Sequence, residues 1–211
     1  SSPEVGKICT IQFFAWIGLM SMMIFFTQYV THILYQVPNT AELSEAIVKT
    51  FEGSIVESQN FASICFAFFN LICFVIAIPI AKMAEANGNK RVHAVSLLLM
   101  MLAYLLIALM PNKVTVFAAM GLAGIGWATI NVNSYPMIVE MAKGSDVGKY
   151  TGIYYTFPMS AQIITPILSG IFIDKIGYLS LFPYAAICAA CAFITFSQVK
   201  HGDIILNNEV K

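Results

Sequence analysis

Six apolar runs, each close to the length that crosses a bilayer, leave this chain few folds to choose from. They cover residues 8–31, 60–81, 92–110, 114–135, 150–173 and 181–199. A helix needs about 20 mostly apolar residues to span the hydrocarbon core. Water is absent there, so every backbone amide must be paired within the protein, and only helices and closed barrels can span. The alternating strands that mark a barrel are missing from the sequence. Composition agrees: 59% of the residues are hydrophobic and 10% are charged, against roughly 25% charged in soluble domains. That is too little polar surface to wet a globule. The expected fold is all-α and membrane-integral: one domain of six transmembrane helices over residues 1–211.

The connections set the orientation. Residues 32–59 form a polar outer loop with Asn39, Glu42, Ser44, Glu45, Lys49, Glu52 and Glu57, long enough to hold a short amphipathic helix. The second connection, AKMAEANGNKR, is basic, and the tail 200–211 is polar. With six spans, one side holds Lys7, Lys82, Lys90, Arg91, Lys143, Lys149, Lys200 and Lys211, and the other holds Lys49, Lys113 and Lys175. Loops rich in Lys and Arg stay in the cytoplasm. Both termini are therefore expected to be cytoplasmic, in a multi-pass protein of the cell membrane.

A short pattern occurs twice. The second run ends in Ala81, Glu85 and Gly88, and the fifth in Gly170, Asp174 and Gly177. Each is a small residue, an acid four on, and a glycine three further. The small residue lets helices approach closely, the acid suits the amino end of the next helix, and the glycine permits a tight turn. Each copy closes the second helix of a three-helix group, on opposite sides of the membrane. Two triplets of opposite topology are the plan of an inverted repeat, which is how many transporters are built.

AKMAEANGNKR resembles the loop motif G-x-x-x-D-R-x-G-R-R of the major facilitator superfamily. Ala81 stands at its first Gly, Glu85 at its Asp, Gly88 at its second Gly and Lys90 at its last basic position; Ala86 and Asn89 replace two basic residues. PILSGIFIDKIG, over 166–177, is similar to the Pro-and-Gly helix ending in the second half of such transporters. QFFAWIGLMSMMIFFTQY and GIGWATINVNSYPMIVEMAKGSDVGKYTGIYYTFPMSAQIITPILSG further resemble the sucrose/maltose-type (glycoside) proton symporters. The resemblance implies alternating-access transport of a small solute, a disaccharide above all. It also implies that this chain is the C-terminal six-helix half of a twelve-helix fold. Its partner would be an N-terminal six-helix half or a second copy of itself.

Polar groups inside apolar spans need partners and mark contacts with protein, water or solute. Trp127, Asn131 and Tyr135 recur at four-residue spacing, as do Gln12 and Trp16. Tyr154, Pro158, Gln162 and Pro166 are expected to share a face, with Tyr155 beside it; Ser63, Ala67 and Asn70 line another. Amides both donate and accept, and aromatic rings stack on sugar C–H faces, so the set suits a neutral polyol. The candidate solute residues are Asn131, Tyr155, Gln162, Trp16, Asn70 and Trp127. The competing reading is hydrogen-bonded glue between helices. Asn133 points away from Asn131 and is read as structural. Pro136, Pro158 and Pro166 weaken the backbone ladder where a gate would bend. Glu140, at the cytoplasmic end of the fourth span, is a candidate gate residue. Tyr29 and Trp16 also fit an aromatic belt at the membrane surface, and His93 an interfacial site.

Other functions lack support. There is no basic stripe for nucleic acid, no nucleophile–base pair or paired carboxylates for an enzyme, and no phosphate-binding G-x-x-x-x-G-K loop. Cys9, Cys65, Cys73, Cys188 and Cys191 lie in apolar runs and read as small hydrophobes, not metal ligands or disulfides. No cofactor is expected. A coupling proton or cation usually needs a titratable group at mid-membrane; none of the runs has one there, so such a site would lie outside this chain. Met20, Met22, Met23, Met100 and Met101 leave an exporter of drugs or other organic solutes as the alternative, and a non-transporting membrane subunit as another.

Overall fold

The computed structural model describes residues 3–39, 45–141 and 147–200. The described residues are mostly helical, with no strand among them. In order come α1 (Pro3–Tyr29) with a π-helical extension (Val30–Leu34), the short α2 (Glu45–Thr50), α3 (Glu52–Asn87), α4 (Asn89–Leu109), α5 (Lys113–Met141), α6 (Val147–Ile176), a 3₁₀ turn (Tyr178–Ser180) and α7 (Leu181–Ser197). Six are long and apolar enough to cross a membrane: α1, α3, α4, α5, α6 and α7.

The helices overrun the apolar runs. α3 has 36 residues, about 54 Å at 1.5 Å per residue, against roughly 30 Å of hydrocarbon. Its polar ends therefore project into water. The outer loop expected over 32–59 is correspondingly shorter, because α2 and the start of α3 occupy Glu45–Thr50 and Glu52 onward. Lys143, the tail beyond Lys200, and Glu42 and Ser44 of the outer loop lie outside the described residues.

Packing repeats with a twofold relation. α1 packs on α6 as α5 packs on α3; α1 packs on α7 as α5 packs on α4; α4 and α7 pack on each other. Exchanging the triplet α1, α3, α4 with α5, α6, α7 leaves this pattern unchanged. Finer detail obeys the same exchange. Gly18 of α1 lies against the carbonyl of Ala185, and Gly126 of α5 against that of Ser96. Ala185 follows Gly177 by eight residues, and Ser96 follows Gly88 by eight. Gly88 and Gly177 are the positive-φ glycines among the described residues, at 88° and 98°. The expected inverted repeat is thus present in the backbone.

The core lies along α1 and α5, which are the most enclosed spans, while α3 and α6 are the most open. Tyr29 is fully buried at an edge-on 4.7 Å from Phe182, so it is not a belt residue as one sequence reading had it. His93, expected at the interface, is buried against α7, 4.8 Å from Phe196: α7 covers the first turns of α4. At one end of the bundle Lys7 donates to the carbonyl of Gln198 at 2.8 Å and pairs with Glu4 at 2.7 Å, while the Lys200 amide donates to Glu4 at 2.7 Å. The two ends of the described chain are tied together on one side. At the other side Lys113 sits 3.9 Å over the Tyr35 ring, and His32 stacks on Tyr178 at 4.6 Å.

Candidate functional site

The polar residues of the spans divide into two groups with different surroundings. One group joins helices. Gln12 of α1 donates to Ser134 of α5, and both are buried. Ser21 of α1 meets Ser169 of α6 at 2.8 Å, and Thr31 meets Ser58 of α3 at 2.7 Å. These are the bonds expected of interhelical glue. Gln12 therefore works as a brace, although it shares a four-residue spacing with Trp16.

The second group bonds to no neighbouring helix. Asn131 is exposed and turns its Nδ2 back to the Trp127 carbonyl at 3.1 Å. Asn70 does the same with Phe66 at 2.8 Å. Gln162 is exposed and makes no hydrogen bond to the described residues. Tyr155 is 47% exposed, its ring 6.4 Å from that of Tyr135, itself 40% exposed. Trp16 and Trp127 meet edge-to-face at 4.8 Å across the α1–α5 contact, both half-buried. Asn131 stands one turn from Trp127 on one side and from Tyr135 on the other. α1, α5 and α6 thus carry a polar, aromatic strip: Trp16, Trp127, Asn131, Tyr135, Tyr155 and, two turns along α6, Gln162. Asn70, on α3, contributes no bond to it.

The expected face of α6 needs correction. Tyr154 and Pro158 are buried, with Ala161, Thr165 and Ser169, whereas Gln162 and Pro166 are exposed. Successive helical residues turn by about 100°. Gln162 lies seven residues from Tyr155, nearly two whole turns, but eight from Tyr154. It therefore shares the exposed face of Tyr155. Asn133 is buried with both side-chain atoms unpaired among the described residues, on a different side of α5 from Asn131.

α5 and α6 run unbroken through Pro136, Pro158 and Pro166, and α3 through Pro79. Glu140 is exposed near the end of α5. In the repeated motif, Gly88 and Gly177 end α3 and α6, and their amides donate to Ala84 and Ile173 at 2.9 and 2.7 Å. Glu85 and Asp174 are exposed and make no ion pair among the described residues, while Lys90 is half-buried and Gly170 partly covered. Asp174 borders an open cavity of about 450 Å³ with His32, Asn39 and Tyr178.

Sequence reading missed a cleft of about 430 Å³ between α1 and α6, lined by Thr10, Phe13, Phe14, Thr156, Phe157 and Ser160. Its signal was present as Thr156 and Ser160 one turn apart. Each hydroxyl is bonded to its own helix, however, Thr156 to Gly152 and Ser160 to Thr156.

A search of curated proteins gives no match to this chain. The family described as Major Facilitator Superfamily matches residues 8–204, nearly the whole chain and all six spanning helices. With its six helices in two inverted triplets, the chain belongs to the major facilitator superfamily, as a six-helix half of that fold.

Proposed function

We propose that the chain is half of a secondary carrier for a small neutral polyol, a disaccharide being the best fit, working by alternating access with a second six-helix half. The observation that carries this reading is the exposed strip on α1, α5 and α6. Amide groups left without partners in lipid would cost free energy; Asn131 spends one N–H within its own helix and nothing on another helix, and the exposed Gln162 makes no interhelical bond among the described residues. A water-filled path between two halves satisfies both. Stacking surfaces at Trp16, Trp127 and Tyr155 beside amides that donate and accept match a sugar's alternating C–H faces and hydroxyls. The stretches that resemble glycoside symporters include these residues. The partner half is an N-terminal one or a second copy. Any coupling proton or cation would bind in the partner, and the ends carrying Lys7 and Lys200 face the cytoplasm.

The test is water access. Single cysteines replace Asn131, Tyr155 and Gln162 in a background without the five native cysteines, and membranes are treated with a hydrophilic maleimide. All three positions should label, should be protected by a disaccharide, and should ignore lipophilic cations. Ile187, 63% exposed on α7, a helix that carries none of the strip, serves as the control and should not label. Protection by lipophilic cations in place of sugars would make the carrier a drug exporter. No labelling at all would place the strip in lipid and end the proposal.

A further inference from the structure

An open groove of about 340 Å³ runs between α3, α4 and α5, on the far side of α5 from the polar strip. Met83, Val95, Leu99 and Ile125 are among its walls. Ser96 and Thr129 also border it, but their hydroxyls are bonded to the carbonyls of His93 and Ile125 within their own helices. The groove is therefore apolar along its length. At one end stand Asn87 and Arg91. That is where α3 ends and α4 begins, on the same side of the membrane as the tied ends of the chain, at the level where helices leave the hydrocarbon.

Arg91 is exposed and has no ion pair among the described residues. Glu85, the nearest acid in sequence, lies two residues from both Met83 and Asn87. Two residues are about 200° of helix, so Glu85 projects away from the groove and does not neutralise its mouth. Asn87 spends one N–H on the Met83 carbonyl at 3.0 Å and keeps a second donor. A guanidinium pairs with phosphate through two parallel bonds. Met83 and Val95 are each 53% exposed, so the side of the groove is left open by the described residues.

We infer that this groove holds one anionic glycerophospholipid of the surrounding leaflet, its phosphate on Arg91 and Asn87 and an acyl chain along Met83, Val95, Leu99 and Ile125. Length, apolar walls and one lining cation, Arg91, with no ion pair among the described residues together fit this occupant, and basic pockets between membrane helices select anionic headgroups. A soluble anion would leave the apolar length empty. A neutral lipid would leave Arg91 without a counter-charge beyond its own zwitterion.

The experiment reads bound lipid directly. The purified chain is placed in nanodiscs of equal phosphatidylglycerol and phosphatidylcholine, released into the gas phase, and its retained lipids are counted by native mass spectrometry. One phosphatidylglycerol should remain on the wild-type chain, favoured at least tenfold over phosphatidylcholine. Arg91→Gln should abolish the preference, and Val95→Trp, which narrows the groove without touching charge, should lower retention at least fivefold. Lys113→Gln, an exposed cation at the opposite end, should change nothing. Glycerol phosphate added in millimolar excess should fail to displace the lipid. Circular dichroism checks that each variant keeps its helices; Arg91 and Val95 are both exposed, and Arg91→Lys, which keeps the charge, should retain most of the preference. Equal retention of the two lipids by the wild type, an unchanged preference in Arg91→Gln, or displacement by glycerol phosphate alone would each overturn the inference.

Discussion

Gly88 and Gly177, 89 positions apart, end equivalent helices with one backbone device: φ of 88° and 98°, and an amide bonded to the carbonyl four residues back. Their ψ values of 137° and 172° put them in a region that side-chain-bearing residues enter only with strain. After the turn α4 starts at once and α7 after one 3₁₀ turn, and each folds back against the neighbouring triplet.

Alanine at either position should therefore destabilise the protein by about 1–3 kcal/mol, with the two effects similar. Gly148 is helical, exposed and has open space around it. Gly148→Ala should raise stability by about 0.5–1 kcal/mol. Thermal unfolding of the three variants in the same detergent checks this; a large loss at one turn and none at the other would break the equivalence of the repeats.

Close approach of helices gives a second prediction. A Cβ on Gly126 would lie 2.6 Å from Met100 Cγ and 2.9 Å from the Ser96 carbonyl, whereas one on Gly18 would lie 3.2 Å from the Ala185 carbonyl. Overpacking typically costs about 1–3 kcal/mol. Gly126→Ala should fall within that range, and Gly18→Ala below it. Unfolding midpoints measured side by side decide the order.

The buried braces should count for stability alone. Ser21→Ala or Ser169→Ala removes the 2.8 Å α1–α6 bond, and Gln12→Leu removes the α1–α5 bond. Each should cost roughly 0.6 kcal/mol and not more than about 2. Solute affinity should be unchanged in the serine variants. A double-mutant cycle on Ser21 and Ser169 measures the coupling itself.

The exposed amides should show the reverse. Asn131→Leu and Gln162→Leu leave a solute hydroxyl unpaired, at about 1–3 kcal/mol, or roughly 5- to 150-fold in affinity, with stability kept. Asn133→Leu should do the opposite again. Both of its polar atoms are buried and unpaired among the described residues, so removing them should raise stability by about 1 kcal/mol without touching affinity. Isothermal titration together with melting curves on the three variants separates solute contact from glue. Loss of stability with wild-type affinity in Asn131→Leu and Gln162→Leu would make them structural.

The six spans were legible because burial in hydrocarbon writes itself as uninterrupted apolar sequence. The repeat was legible in Ala81, Glu85 and Gly88 against Gly170, Asp174 and Gly177, since chain reversal demands glycine at one fixed place. Helix ends were not. Glu52, Glu57, Lys82 and Glu85 read as loop, yet α3 continues through all four, because water beyond the bilayer solvates helix and loop alike. Partners distant in sequence were also hidden. Nothing near Gln12 announces Ser134, 122 residues away, and nothing near His93 announces Phe196. Asn131 and Asn133 could be separated, because two residues of helix is half a turn. The face of Gln162 was misjudged by one position, which in a helix is enough to exchange buried for exposed.

The central claim, that two such halves enclose a solute path along α1, α5 and α6, is tested most directly by uptake in proteoliposomes at controlled oligomeric state. The purified chain is reconstituted under conditions that keep it monomeric and under conditions that pair it with a second six-helix half, and gradient-driven entry of a labelled disaccharide is followed. A lone chain leaves the strip open on one side. No uptake is expected from the monomer, and uptake from the assembled pair should collapse with Asn131→Leu. Robust uptake by the monomer, or assembled uptake indifferent to Asn131→Leu and Gln162→Leu, would contradict the account.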